Sequence, residues 1–215
     1  MRRNRIGSTA RLAGAVLACA VGVAGCNNKA GPGRTDVLYI VGPEGNFRSI
    51  AAALNAAPEG EVIEVRGGPY AERVVVNKPG MKLRGVSAVL DGTGVGGTGI
   101  GIHVTNVSDV EISGFTVRNF ERGIVVQNAS NTVLRGNEVH SNNSRTASTS
   151  PPLTAGVNLF EGVVLIGATS TQVTDNTLRD NGHDGLMITG GSRNNVVRGN
   201  RMRNNGAQTA PTRFG

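Results

Sequence analysis

Gly101-Ile102-His103-Val104 returns as Gly123-Ile124-Val125-Val126, as Gly162-Val163-Val164-Leu165 and as Gly185-Leu186-Met187-Ile188. The first two copies start 22 residues apart and the last two 23 apart, while the middle gap of 39 is one period plus 17 inserted residues. A second motif lies between the copies. Val110-Glu111-Ile112-Ser113-Gly114-Phe115-Thr116-Val117 aligns with the eight residues from Thr132, with those from Thr171 and, after one extra residue, with those from Asn195. Apolar and polar residues alternate in both motifs, which predicts strands with one buried face. A period in the low twenties predicts stacked coils, each one supersecondary unit leaning on its neighbours.

Aligning the repeats predicts the columns. Ile112, Leu134, Val173 and Val197 share one inward column, and Val117, Val139, Leu178 and Met202 a second. Ile102, Ile124, Val163 and Leu186 form a third. Asn137, Asn176 and Asn200 fall at one bend and Asn142, Asn181 and Asn205 at another, where stacked side-chain amides can bond along the axis. Val125, Val164 and Met187, with His103 at the head of their column, point outward; an apolar stripe there predicts cover by a partner or by the chain itself.

This strand–bend–strand repeat resembles the right-handed parallel β-helix of the pectin-lyase-like superfamily over about residues 37–206. The resemblance implies an all-β solenoid with a short N-terminal capping helix. Phe47, Ile50, Ala51, Leu54 and Ala57 lie on one helical face at about 47–57, with Asn46 placed to cap and Pro58 to stop. The run from Phe47 to Glu72 is similar to the N-terminal cap of pectin methylesterases. That scaffold carries lyases, hydrolases, esterases, epimerases and inert surface proteins, so activity must be argued from residues.

The ends read differently. Arg2, Arg3, Arg5 and Arg11 precede an apolar run, Leu12 to Val23, too short for a comfortable membrane span. Val23-Ala24-Gly25-Cys26 then resembles the bacterial lipobox, which implies a lipoprotein signal peptide at 1–25 and lipidation of Cys26; an ordinary secretory signal is the alternative. Residues 26–36 read as a flexible tether and 37–215 as a single domain. Both cysteines fall in the leader region, so no disulfide framework is expected. Losing four leader arginines would bring the net charge from +7 to +3. The segment after Gly206 is too short for another coil and too polar for a cap, which predicts either a partner, or self-association, at the C-terminal end or a chain that is short relative to its relatives.

Candidate chemistry gathers before the glycine-led strands. Arg122, Glu161 and Asp184 align on consecutive coils, beside a column of Glu121, Phe160 and His183. Two carboxylates about one coil spacing apart can split their pKa values, and a histidine adds a proton carrier. These four residues, Arg122, Glu161, His183 and Asp184, are the catalytic candidates, with the insertion at about 144–160 as one wall. Asn181-Gly182-His183-Asp184-Gly185 is similar to a turn of alginate epimerase repeats, although that family's Asp-Pro-His signature is absent. The opposing reading of Asp180 to Gly185 is ordinary turn chemistry. Arg118, His140, Arg179 and Arg203 share an outward column that suits an acidic polysaccharide. Export argues against nucleic acid, and no cofactor or metal site is expected. The sequence thus predicts a lipid-anchored envelope protein that binds an acidic polysaccharide, with lyase or epimerase chemistry on uronates if it is an enzyme, or a non-catalytic scaffold.

Overall fold

The computed structural model describes residues 39–97, 99–143 and 160–206. The expected leader, Cys26, the tether, nearly all of the insertion and residues 207–215 lie outside them. The chain enters through strand β1 (Tyr39–Val41) and helix α1 (Ile50–Ala56). It continues as β2 (Val62–Arg66), β3 (Val74–Val76), β4 (Lys82–Asp91), β5 (Ile100–Thr105), β6 (Glu111–Arg118) and β7 (Arg122–Gln127). The later coils are β8 (Val133–Arg135), β9 (Glu138–His140), β10 (Val163–Ile166), β11 (Gln172–Thr174), β12 (Thr177–Arg179), β13 (Leu186–Thr189), β14 (Val196–Arg198) and β15 (Arg201–Arg203).

Every named strand pair is parallel and joins one coil to the next, as a solenoid requires. One sheet runs β1-β2-β4-β6-β8-β11-β14, with β9, β12 and β15 alongside; the other runs β3-β5-β7-β10-β13. The long β4 and β6 give way to two short strands in later coils, parted by a bend. The predicted registers hold: Ile112 faces Leu134, Leu134 faces Val173, and Val173 faces Val197. Val139 lies between Val117 and Leu178, and Ile124 between Ile102 and Val163. Interior members of these columns are buried, but Val197 and Met202 of the last described coil are exposed.

The corners explain the abundance of Asn, Asp and Gly. Four positions per coil adopt the left-handed conformation: Asn106, Asn128, Gly167 and Gly190; Asp109, Asn131, Ser170 and Asn194; Gly114, Gly136, Asp175 and Gly199; Asn119, Ser141, Asp180 and Asn204. Their φ values lie between 49° and 73°, a region that short polar residues and glycine tolerate best. Behind two of these corners run the asparagine ladders. Asn176 Oδ1 accepts from the backbone N–H (2.9 Å) and the Nδ2 (3.0 Å) of Asn137, and Asn200 Oδ1 accepts the same pair from Asn176. Asn142, Asn181 and Asn205 repeat the pattern. In the coil before, Phe115 and Phe120 fill the corresponding places, and their N–H groups donate to Asn137 and Asn142.

The glycines that open the recurring motif are steric necessities. A Cβ on Gly123 would lie 2.3 Å from Val139 Cγ1 and 2.5 Å from the Gly162 carbonyl oxygen. The corner there passes directly over the core of its own coil.

The helix differs from expectation. It is confined to 50–56, and its N-cap is Ser49, whose Oγ accepts from Ala52 N at 3.1 Å. The Glu72 carboxylate accepts from the N–H groups of Ile50 and Ala51, both at 3.0 Å. Asn46 instead accepts from Ile40 N, and Phe47 lies outside the helix, stacked on Tyr39. The outward apolar column is covered, as its character predicted: Val125 and Val164 are fully buried and form, with Ile166, a second cluster apart from the main core.

Candidate functional site

The corner before the second sheet is built by backbone bonds between coils. Gly123 N donates to Glu161 O at 3.1 Å and Gly162 N to Asp184 O at 2.8 Å, which sets Arg122, Glu161 and Asp184 on successive coils. His183 N donates to Phe160 O at 2.9 Å and carries the adjacent column.

The side chains divide by depth. Glu121, Arg122 and Glu161 are fully enclosed, whereas His183 and Asp184 are each 46 % exposed and joined by a 2.9 Å contact between Nδ1 and Oδ2. Arg122 Nε lies 3.4 Å from Glu161 Oε2, an ion pair with loose geometry. Glu121, which the sequence reading left as a neighbour, accepts from Gly99 N at 2.8 Å. Its other oxygen and both Glu161 oxygens have no hydrogen-bond partner among the described residues. Two enclosed carboxylates against one guanidinium leave an excess of negative charge, which a dry site disfavours. Burial therefore pushes the Glu161 carboxyl above its usual range, with Asp184 adding to the rise; its own backbone N–H, Arg122 and His183 oppose it. Burial also lowers Arg122 against the pull of Glu161 and Glu121. The arrangement sets an enclosed carboxyl with a raised pKa beside an exposed histidine–carboxylate pair.

The outward basic column is largely spoken for. Arg118 Nε donates to Asp91 Oδ2 at 2.8 Å. Arg179 clasps Glu138 Oε1 from Nε and Nη2 at 2.9 and 2.7 Å and Asp180 Oδ2 from Nη1 at 2.7 Å. His140 meets Ser141 Oγ, and its pKa is lowered by burial and by Arg179. Only Arg203 of the four has a side chain with no ion-pair or hydrogen-bond partner among the described residues, although its charge helps lower the Asp180 carboxyl. The column is thus a ladder of ion pairs through its middle, since carboxylates on the same and neighbouring coils fold onto it.

A groove that the sequence reading did not single out crosses β2, β4, β6 and β8. Its cavity is about 740 Å³, floored by Gly85, Gly114 and Gly136 and walled by Glu64, Arg84, Glu111, Arg135 and Asp175. The floor needs glycine: a Cβ on Gly85 would come 2.5 Å from Gly114 O, and one on Gly114 2.4 Å from Gly85 O. Arg135 reaches Glu111 at 3.7 Å, and Ser113 Oγ donates to the same carboxylate. The signal was present in the column of Gly114, Gly136 and Gly199, but a glycine column names a bend before it names a cavity. No group of three or more potential metal ligands occurs among the described residues.

A family model described as the right handed beta helix region matches residues 73–211. No curated protein and no solved structure matches the chain.

Proposed function

From a chain that belongs to the right-handed β-helix family, we propose a protein exported to the bacterial envelope, anchored through a lipid on Cys26, that binds a linear acidic polysaccharide. The observation that carries the binding is the groove across β2, β4, β6 and β8. It runs across the strands, along the solenoid axis, so four strands offer a chain about 14 Å of repeating contact at the usual inter-strand spacing. Arg84, and Arg135 once drawn from its 3.7 Å approach to Glu111, meet carboxylates of the chain, while the three lining carboxylates, Glu64, Glu111 and Asp175, accept from its hydroxyls and limit how many acidic groups the groove takes. The glycine floor lets a ring approach the backbone. The chain has no Trp and few other aromatics, so recognition here is by hydrogen bonds and charge rather than stacking.

Chain modification is the second reading, and the raised Glu161 beside His183 and Asp184 favours it. In that reading His183 exchanges a proton with a uronate ring carbon and Asp184 orients the imidazole, while Arg122 is enclosed and Arg179 is held by Glu138 and Asp180, away from a substrate carboxylate. Binding ranks first because Glu161 and Arg122 are enclosed and only His183 and Asp184 meet solvent.

Glycan binding tests both. The protein should bind polyuronates more tightly than neutral glycans, and Arg84→Glu with Arg135→Glu should weaken binding at least about tenfold, equivalent to about 1.4 kcal/mol. Unchanged binding in that double variant rejects the groove; no binding to any acidic glycan leaves the scaffold reading. Release of unsaturated or epimerised product that disappears in His183→Ala would promote the second reading.

A further inference from the structure

Strands β13, β14 and β15 are each paired on one side only among the described residues. Val197 and Met202 stand in the same inward columns as the buried Leu134 and Val139, yet they are 43 % and 47 % exposed. What meets solvent there is a cross-section of the core. The asparagine ladders end, among the described residues, at Asn200 and Asn205: they accept from the coil before and donate Nδ2 back to Val173 O and Leu178 O, with no further asparagine to receive their backbone N–H groups. Exposed strand edges with such a face are pairing templates.

The rim has one sign. Residues 185–206 contain Arg193, Arg198, Arg201 and Arg203 and no Asp or Glu. The backbones of the four bond to the coil before, but none of their side chains has an ion-pair or hydrogen-bond partner among the described residues. Earlier arginines take a carboxylate from a neighbouring coil, as Arg118 does from Asp91 and Arg179 from Glu138. The last described coil repeats the donor half of that pattern, and the carboxylate of the coil before that Arg203 acts on, Asp180, is already held by Arg179 and Asn204.

We propose that this edge docks an acidic partner protein, which adds a strand whose apolar side chains cover Val197 and Met202 and whose carboxylates meet Arg198, Arg201 and Arg203. Backbone bonds supply affinity and the alternating side chains supply register, as in strand addition generally. A second copy of this chain would set two arginine rims face to face, a like-charge opposition that disfavours the contact. A polysaccharide has the charge but no side chains to fill the apolar columns.

The test uses the full chain and three labelled peptides of equal length: alternating valine and aspartate, alternating valine and lysine, and polyaspartate. The valine–aspartate peptide should bind at least about tenfold more tightly than either control. Arg198→Glu with Arg203→Glu should remove that preference, and Met202→Gln should weaken it with the charge intact. Lys82→Glu, on an early coil, should change nothing, and circular dichroism melts confirm that each variant is folded. Equal binding of polyaspartate overturns the proposal in favour of charge alone. A concentration-dependent dimer in sedimentation overturns it in favour of a second copy. Binding that emerges only after removal of residues 207–215 overturns it in favour of the chain's own tail.

Discussion

Glu161 is enclosed without a hydrogen bond to either oxygen among the described residues, and its pKa is raised chiefly by burial. A carboxyl group raised in the folded state takes its proton there before it does in the unfolded chain. Stability is therefore unaffected below the ordinary glutamate pKa, falls as pH rises from that value to the raised one, and stays penalised above it. Glu161→Gln should flatten that fall, measured as the pH dependence of urea midpoints for variant and parent. A fall of equal size in both would place the proton elsewhere. The asparagines work in the opposite sense. Asn176 bonds Leu134 O, both donors of Asn137, and Asn200 Oδ1. Asn176→Ala would strand several buried groups at about 1–3 kcal/mol each, so a loss of at least about 3 kcal/mol is expected in equilibrium denaturation. That these asparagines are structural was legible from their spacing alone. The depth of Glu161 was not, because a turn residue next to Gly162 reads as exposed until the coils are stacked.

Helix α1 has 7 residues, too short to stand alone, and is held by what its first turn receives. Ser49 supplies one acceptor and Glu72, from the loop before β3, supplies two. Lys78 closes the other end, with Nζ donating to the carbonyls of Leu54 and Ala57, both at 2.8 Å. Ser49→Ala should cost about 1 kcal/mol, and the loss should appear in the thermal midpoint and in faster amide exchange of residues 50–53. A wild-type midpoint would mean that Glu72 alone secures the turn. The sequence pattern located the helix but misplaced its cap, since Asn46 and Ser49 are equally good capping residues. The choice fell to the tertiary partner, because Asn46 is occupied by Ile40 N of β1.

The proposed export and lipid anchor are tested on the whole molecule. Cys26→Ala should release the protein from membranes or block its maturation, read by fractionation and intact mass; unchanged retention would overturn the lipid anchor. Acid stability is also distributed. Burial pulls the Asp91 carboxyl upward, but hydrogen bonds from Asn119, Thr93 and Arg118 overcome it and hold the pKa at about 2. The stability from this group is present above its ordinary pKa and is lost as pH falls through about 2. What the sequence by itself determined is the repeat: its period, its inward columns, the asparagine ladders and the order of the coils. Each of these follows from one residue type recurring at one spacing, and stacking makes every local choice a neighbour of its own copy. Tertiary structure decided what the outward residues do. It paired Arg118 and Arg179 with carboxylates, enclosed Val125, Val164 and Glu161, and opened the groove above Gly85 and Gly114. Alternation assigns a side chain to the inside or the outside of a coil. What lies against its outer surface depends on neighbouring coils and distant loops, whose contacts leave no periodic trace in the chain.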